Sequence, residues 1–110
     1  MTRNKKDVLQ GTLDMLILRV LMNGSMHGYG IGLRIEQLSG EALRVEEGSL
    51  YPALHRMEQE GWIRAHWGTS ENNRRAKFYE ITQRGRGQLE IENEQWSRLT
   101  AAVRQVMRLA

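Results

Sequence analysis

The segment at residues 47–62 constrains the fold most strongly. It combines an apolar stripe at helical spacing with an opposite face that carries no bulky aliphatic residue. Leu50, Leu54 and Met57 recur at the spacing of one helix face, which predicts a helix that docks on a core along that side. The other sides carry compact, aromatic or hydrogen-bonding residues, namely Gly48, Ser49, Tyr51, Pro52, His55, Arg56 and Gln59. Such a helix is suited to enter a groove of another molecule.

Both ends of this helix carry sequence signals. Gly61 is expected to end it as a left-handed cap residue. Pro52 lacks a backbone donor and fits best in the first turn of a helix. The helix therefore either begins near Gly48 or is kinked.

Two helices are predicted before this segment. Residues 9–22 are apolar nearly all round, with Leu18 and Met22 opposite the main stripe, so we expect the second face to meet another subunit. Residues 29–38 form a second amphipathic pattern. It is weakened by three glycines that call for a close approach of neighbouring groups, Gly28, Gly30 and Gly32. Residues 43–45 are predicted to be a short extended piece.

The remainder of the chain predicts a hairpin and one long helix. Two β-prone runs, residues 62–67 and 74–81, flank a polar turn. Thr82 is a plausible helix N-cap, and few helix-breaking residues follow it up to residue 110. Apolar residues occupy two positions of a heptad there, with Glu92 as the exception: Leu89, Trp96, Leu99, Val103, Val106 and Ala110. This seam predicts a dimer interface with a partner helix.

This order of elements favours a mainly α protein with a small β-hairpin (α+β). The architecture is a winged helix-turn-helix at residues 1–81 followed by a dimerisation helix at residues 82–110. The helix at residues 47–60 then occupies the place of the recognition helix, and the hairpin is the wing. Residues 1–81 carry 11 basic and 10 acidic side chains. Local basic clusters, at Arg3, Lys5 and Lys6 and on the wing, stand out from this near-neutral body and are either solvated surface or phosphate contacts.

Four segments resemble the PadR family of bacterial transcription regulators, and together they span nearly the whole chain. They are Gln-Gly-Thr-Leu-Asp-Met-Leu-Ile-Leu at 10–18, His-Gly-Tyr-Gly-Ile at 27–31, Gly-Ser-Leu-Tyr-Pro-Ala-Leu-His-Arg-Met-Glu at 48–58 and Arg-Arg-Ala-Lys-Phe-Tyr-Glu-Ile-Thr at 74–82. The single C-terminal helix resembles the short-chain branch of the family. The resemblance implies a homodimeric repressor that binds a palindromic operator in double-stranded DNA and controls a neighbouring transporter or stress operon.

The resemblance also implies which residues face DNA. They are Tyr29, Ser49, Tyr51, Pro52, His55, Arg56, Arg74, Arg75 and Lys77. Tyr51 has a second interpretation, as a core residue that folds back onto the protein. His55 and Arg56 are expected to contact bases.

Some relatives in this family bind flat aromatic compounds between paired C-terminal tryptophans, which implies release of DNA by a small aromatic or hydrophobic effector. The residues that could line such a cavity are Asp14, Met15, Asn93, Trp96 and Thr100. Trp96 is also well explained as interface core, since a tryptophan buries a large area at a heptad position.

Other classes of function find little support in the sequence. The three histidines lack metal-ligand spacing, and no nucleophile motif or phosphate-binding glycine loop is present, so neither an enzyme nor a cofactor or metal site is predicted. Without cysteine or an apolar run of bilayer length, we expect a cytoplasmic protein with no membrane partner. The alternative is a winged-helix protein–protein interaction module that does not bind DNA. The polar tip at residues 72–75 disfavours it.

Overall fold

The computed structural model describes the backbone of residues 5–109 and the side chains from Thr12 to Leu109. The basic cluster at the N-terminus and Ala110 of the seam lie outside these described side chains. The elements are α1 (Lys5–Leu21), β1 (Met26–His27), α2 (Gly28–Leu38), α3 (Glu47–Gln59), β2 (Ile63–Thr69), β3 (Arg75–Ile81) and α4 (Gln83–Met107). The prediction of a mainly α chain with a small antiparallel sheet is confirmed.

The sheet has one strand more than predicted. Its order is β1-β3-β2, both pairings are antiparallel, and β1 places Met26 opposite Tyr79. The extended piece predicted at residues 43–45 is not a strand. Instead, the Val45 amide donates to a Glu36 carboxylate oxygen at 2.9 Å, and the Leu43 and Val45 side chains pack against the core. The short strand therefore precedes α2 rather than following it.

Helix α1 lies at the centre of the core. Leu13, Ile17 and Leu18 are completely buried, and α1 contacts α2, α3 and α4. Our expectation that the Leu18 side of α1 meets another subunit is wrong for Leu18, because the chain itself buries that residue. Met22 at the end of the helix remains 39% exposed.

Helix α3 packs on this core through the predicted stripe. Leu50, Leu54 and Met57 are buried, and the helix begins at Glu47, so Pro52 lies in its second turn. The expected cap at Gly61 is confirmed. Its φ is +79°, its amide donates to the Glu58 carbonyl at 3.0 Å, and the next amide, that of Trp62, donates to the Met57 carbonyl at 3.0 Å. These two hydrogen bonds form a Schellman motif, which turns the chain directly into β2.

Thr82 joins the end of the sheet to α4. Its hydroxyl oxygen accepts a hydrogen bond from the Gly85 amide at 3.0 Å, as expected for an N-cap, and the hydroxyl donates to the Gly61 carbonyl at 2.6 Å. Gly85 lies directly under the Trp62 carbonyl, where a β-carbon would collide with the backbone oxygen. Helix α4 therefore leaves the body in one fixed direction, and the molecule extends to 57 Å along its longest axis.

We expect Gly85→Ala and Gly87→Ala to change stability in opposite directions. A β-carbon at Gly85 would displace the Trp62 backbone, and such overpacking costs about 1–3 kcal/mol. At Gly87 no atom lies within 4 Å of an added β-carbon, so the better helix propensity of alanine should add up to about 1 kcal/mol. Urea unfolding of the two variants measures the difference. Equal free energies of unfolding for the two variants would contradict the close packing of Gly85 against Trp62 at the Thr82 corner.

Candidate nucleic-acid interface

The solvent-facing side of α3 is a compact polar and aromatic surface. Its exposed residues are Glu47, Gly48, Tyr51, Pro52, His55 and Gln59. The opposite side is anchored in the core, so this surface is held rigidly. An α-helix of this kind fits the major groove of B-DNA, which is about 12 Å wide.

Tyr51 lies partly on this surface and partly against α2. A β-carbon at Gly28 would lie 2.7 Å from a ring carbon of Tyr51, which explains why the first residue of α2 is a glycine. The tyrosine is nevertheless 42% exposed. Burial raises the pKa of its phenol, and the charge of Glu47 and the nearby Tyr79 add to this effect. The neutral phenol can donate a hydrogen bond. Tyr51 is thus packed against the protein on one side and exposed on the other, so the core interpretation and the DNA-facing interpretation each describe part of its surroundings.

Two residues expected to face DNA are engaged within the protein. Ser49 is only 8% exposed, so most of this residue is packed against the chain, and its contact with DNA stays a prediction. The Arg56 guanidinium is held by Asp14 of α1, with hydrogen bonds of 2.7 and 2.9 Å to the two carboxylate oxygens. The Arg56 side chain is 41% exposed and keeps further N–H donors, so its contact with DNA stays a prediction, although each terminal nitrogen already donates to Asp14.

The first turn of α2 lies beside the recognition helix. The His27 ring caps α2 by accepting a hydrogen bond from the Gly30 amide at 3.0 Å, so the start of this helix is well ordered. Tyr29, two residues after His27, is 63% exposed. Its side chain is free to contact a phosphate group or sugar.

The three basic residues at and after the tip of the wing have different surroundings. The Arg75 guanidinium lies 4.9 Å from the centroid of the Trp67 ring, a cation–π contact that leaves its hydrogen-bond donors available. Arg74, at the tip, is exposed. Lys77 differs, since its ammonium group lies 3.4 Å from a Glu58 carboxylate oxygen and ties the wing to α3.

An open groove of about 800 Å³ runs between α2 and the wing. Tyr29 and Arg34 line it on the side of α2, and Arg74 and Arg75 line it on the side of the wing, together with one carboxylate, Glu71. Within the described part of the chain, none of these three arginines forms an ion pair. The groove therefore has a positive lining that is open to solvent.

Sequence reasoning missed Arg34 and Trp67. Arg34 follows Gly30 by four residues and so shares its helix face, and this spacing could have placed it in the groove. Trp67 is 59% exposed on the wing. The presence of a large aromatic residue on a polar strand could have identified it as a candidate functional residue.

The predicted dimer seam is largely uncovered. Trp96, Leu99, Val103 and Val106 are all at least 40% exposed, and a shallow apolar depression along α4 is lined by Trp96, Leu99, Thr100, Val103, Arg104 and Met107. Leu89 is different, because it packs on the core of its own chain. The seam available to a partner therefore begins near Trp96.

The residues expected to line an effector cavity are divided between different surroundings in the described part of the chain. Trp96 and Thr100 belong to the depression on α4, whereas Asp14, Met15 and Asn93 are not part of its lining. Asp14 instead binds Arg56. Among the side chains from Thr12 to Leu109, no cluster of three metal-ligating groups occurs, and none of the described helices is long and apolar enough to cross a membrane.

Glu92 of α4 stands close to the Asp14–Arg56 pair. Burial is the main cause that raises the pKa of its carboxyl group, and the negative charge of Asp14 acts in the same direction. A hydrogen bond from the Gln88 side chain, at 2.9 Å, and the positive charge of Arg56 oppose the rise. Arg56 thus forms its ion pair with Asp14 and interacts with Glu92 only through the longer-range electrostatic attraction.

Comparison with known proteins gives a consistent result. Residues 17–91 match the family model described as "Transcriptional regulator PadR-like family". A transcriptional regulator from Clostridium thermocellum shares 30% identity and a TM-score of 0.82, over 90% of this chain and 96% of that one. A PadR-like transcriptional regulator from Bacillus cereus shares 28% identity and a TM-score of 0.79, over 94% and 99% of the two chains. An uncharacterised protein from Lysinibacillus sphaericus is 28% identical over 93 residues, which are 84% of this chain and 85% of that protein.

We expect Glu92→Gln to stabilise the protein at neutral pH. The raised pKa means that the folded state binds the proton more tightly than the unfolded state, so the ionised carboxylate costs stability above the raised pKa. Partial exposure screens the charge and should limit the gain to below about 1 kcal/mol. Thermal unfolding at several pH values should show the gain shrinking as the pH falls through the raised pKa towards 4.5, the ordinary value. The control is Glu94→Gln, whose exposed side chain pairs only with Arg98; an equal gain there would contradict the assignment.

Proposed function

The chain belongs to the PadR-like family of transcriptional regulators, and we propose that it binds a palindromic operator in double-stranded DNA as a homodimer and represses transcription. The observation that carries this proposal is the uncovered polar and aromatic side of α3 next to the positively lined groove. A sequence-specific DNA-binding protein needs a helix that fits the major groove and cations that bind the phosphate backbone. A regulator of this kind acts by binding and not as an enzyme.

In the proposed complex, α3 lies in the major groove. Pro52 and His55 are the exposed residues nearest the middle of the helix, and the imidazole of His55 can donate or accept a hydrogen bond at a base edge. Tyr51 contacts the edge of the groove with its phenol. Of the α3 residues expected from the sequence to face DNA, these three are exposed, whereas Ser49 and Arg56 are engaged within the protein.

The groove between α2 and the wing is proposed to hold a stretch of phosphate backbone. Arg34, Arg74 and Arg75 reach it from two sides, so one backbone strand can be neutralised by cations on both flanks. Tyr29 lies at the same groove and can donate to a phosphate oxygen. Lys77, which is bound to Glu58, supports the wing instead.

The apolar side of α4 is proposed as the dimer interface. The apolar side chains between Trp96 and Val106 form a strip along α4 that no other element of the described chain covers. Such strips mark association surfaces. In the proposed dimer two α4 helices pack along this strip, and a two-fold axis relates the two copies of α3. That arrangement matches a palindromic site.

Release by a small aromatic or hydrophobic effector is the third part of the proposal. Trp96 and its neighbours offer an apolar surface in the shallow depression on α4, and a second copy of the chain would cover it to form a cavity. The regulated genes are proposed to be a neighbouring transporter or stress operon. Purified protein bound to its operator, titrated with flat aromatic compounds, should release the DNA; retention with every compound would contradict this part.

The alternative function is a protein–protein interaction module. The groove lined by Arg34, Arg74 and Arg75 could bind an acidic protein. The polar turn at the tip of the wing, which is held by hydrogen bonds between Ser70 and Arg74, offers no apolar contact for a protein partner. We therefore favour DNA.

The first experiment measures fluorescence-anisotropy binding to the duplex upstream of the protein's own gene and to a scrambled duplex, over a series of salt concentrations. We expect Arg34→Ala and Arg75→Ala each to reduce the slope of log K against log salt by about one, since each removes one phosphate contact. Arg64→Ala is the matched control, because Arg64 lies on the wing but pairs with Glu80 at 2.8 Å. Equal, weak binding of wild-type protein to both duplexes would favour the interaction module.

We expect Leu99→Glu to convert the homodimer to monomers, because it places a charge in the centre of the apolar strip. Ile91→Glu is the control: Ile91 is 52% exposed on α4 but falls outside the heptad positions of the seam. Sedimentation velocity at several concentrations distinguishes the two. An intact Leu99→Glu dimer would place the interface elsewhere.

A further inference from the structure

The ion pair between Arg56 and Asp14 joins the recognition helix to the central helix of the core. The two residues are 42 positions apart in the sequence, and the guanidinium donates to both carboxylate oxygens at 2.7 and 2.9 Å. The Asp14 side chain is only 14% exposed. Bidentate pairs of this kind have a defined geometry, whereas apolar packing is not directional.

The pair is one of three contacts that fix the orientation of α3. Near the start of the helix, the Tyr51 ring lies against Gly28 of α2. Near its end, Glu58 binds Lys77 of the wing. Arg56 lies between these contacts and faces α1. Leu50, Leu54 and Met57 hold α3 on the core, and the ion pair resists rotation of the helix about its own axis.

The ion pair restricts how Arg56 could contact DNA. Each terminal nitrogen already donates to Asp14, so only the remaining N–H groups of the guanidinium, whose side chain is 41% exposed, could reach a base or a phosphate. A guanidinium that turned fully towards DNA would leave the Asp14 carboxylate mostly buried and unpaired, and removing one partner of such a pair is strongly unfavourable. The pair therefore favours a role of Arg56 in positioning α3 over full engagement with DNA.

Helix α4 takes part in the same junction. Glu92 lies close enough to interact electrostatically with both members of the pair, and Gln88 holds its carboxylate. The charged groups around Arg56 are Asp14 from α1, Glu60 directly after α3 and Glu92 from α4. The helix that carries the proposed dimer seam thus contributes a carboxylate to the site that orients the recognition helix.

We infer that Arg56 is a positioning residue for DNA binding: through Asp14 it sets the angle at which α3 is presented to the major groove, and it contacts neither bases nor phosphates. The inference rests on the proposed function. It assigns to Asp14 a role in DNA affinity although Asp14 lies on the core side of the recognition helix.

The test is a double-mutant cycle with Asp14→Asn, Arg56→Gln and the double variant. Operator and scrambled duplexes are titrated over a salt series at a temperature where circular dichroism shows each variant to be folded. We expect each single substitution to weaken operator binding about tenfold, and the double variant to be no weaker than either, because both changes remove the same pair. The salt slope and the affinity for scrambled DNA should stay as in the wild type.

A direct phosphate contact would give the opposite pattern. Arg56→Gln would then lower the salt slope by about one, and Asp14→Asn would strengthen binding by freeing the guanidinium and removing a negative charge. Either result overturns the inference. If the variants do not fold, Arg56→Lys and Asp14→Glu replace them. Arg56→Lys keeps the charge but loses the bidentate donor, and Asp14→Glu keeps the charge but displaces the carboxylate by one methylene; weaker operator binding at an unchanged salt slope is again the expected result.

Failure of the inference can be told apart from failure of the proposed function. If wild-type protein binds the operator and Arg75→Ala lowers the salt slope, but the cycle variants bind like the wild type, only the positioning role of Arg56 is rejected. If wild-type protein shows no preference for the operator over scrambled DNA, the proposed function is rejected, and the inference with it.

Discussion

Burial of a single stripe of α3 against α1 is the constraint on which the rest of the structure depends. Leu50, Leu54 and Met57 take up the core side of the helix, and α1 supplies the completely buried residues that receive them. Because the stripe fixes which side of α3 is hidden, it also fixes which side is left for another molecule. The surface that we assign to DNA is therefore a consequence of core packing, and the ion pair and the tyrosine contact with Gly28 then refine its direction.

The distribution of charge follows the same division. Several basic residues are bound by carboxylates of the chain: Arg56 by Asp14, Arg64 by Glu80 and Lys77 by Glu58. These pairs hold elements together and leave little net attraction for a polyanion. Three of the cations that remain, Arg34, Arg74 and Arg75, converge on one groove. A near-neutral domain can thus present a local positive surface, and a count of basic residues in the sequence overestimates how many are available.

The sequence was most informative where structure depends on neighbours in the chain. The stripe of α3, the caps at Gly61 and Thr82 and the wing hairpin each follow from periodicity or turn chemistry within a few residues, and all are present. Non-local features could not be obtained in this way. Strand β1 has two residues and forms only because β3 offers a free edge, and Arg56 binds a carboxylate 42 residues away. The same limit explains three features that the sequence pattern did not predict: the burial of Ser49, the packing of Leu89 on its own core and the position of Arg34 in the groove.

The corner at Thr82 has a consequence for how such a regulator could change its operator. The Thr82 amide and hydroxyl bind the carbonyls of Trp62 and Gly61, and its hydroxyl oxygen caps α4, so no flexible linker separates the end of α3 from the start of the long helix. In the proposed dimer, the distance between operator half-sites is then a property of the folded protomer. One residue inserted in α4 between this corner and Trp96 would rotate the seam by about 100° relative to α3. Evolution could thus alter the spacing of recognised half-sites through insertions in this part of α4, while the residues that contact the bases remain unchanged.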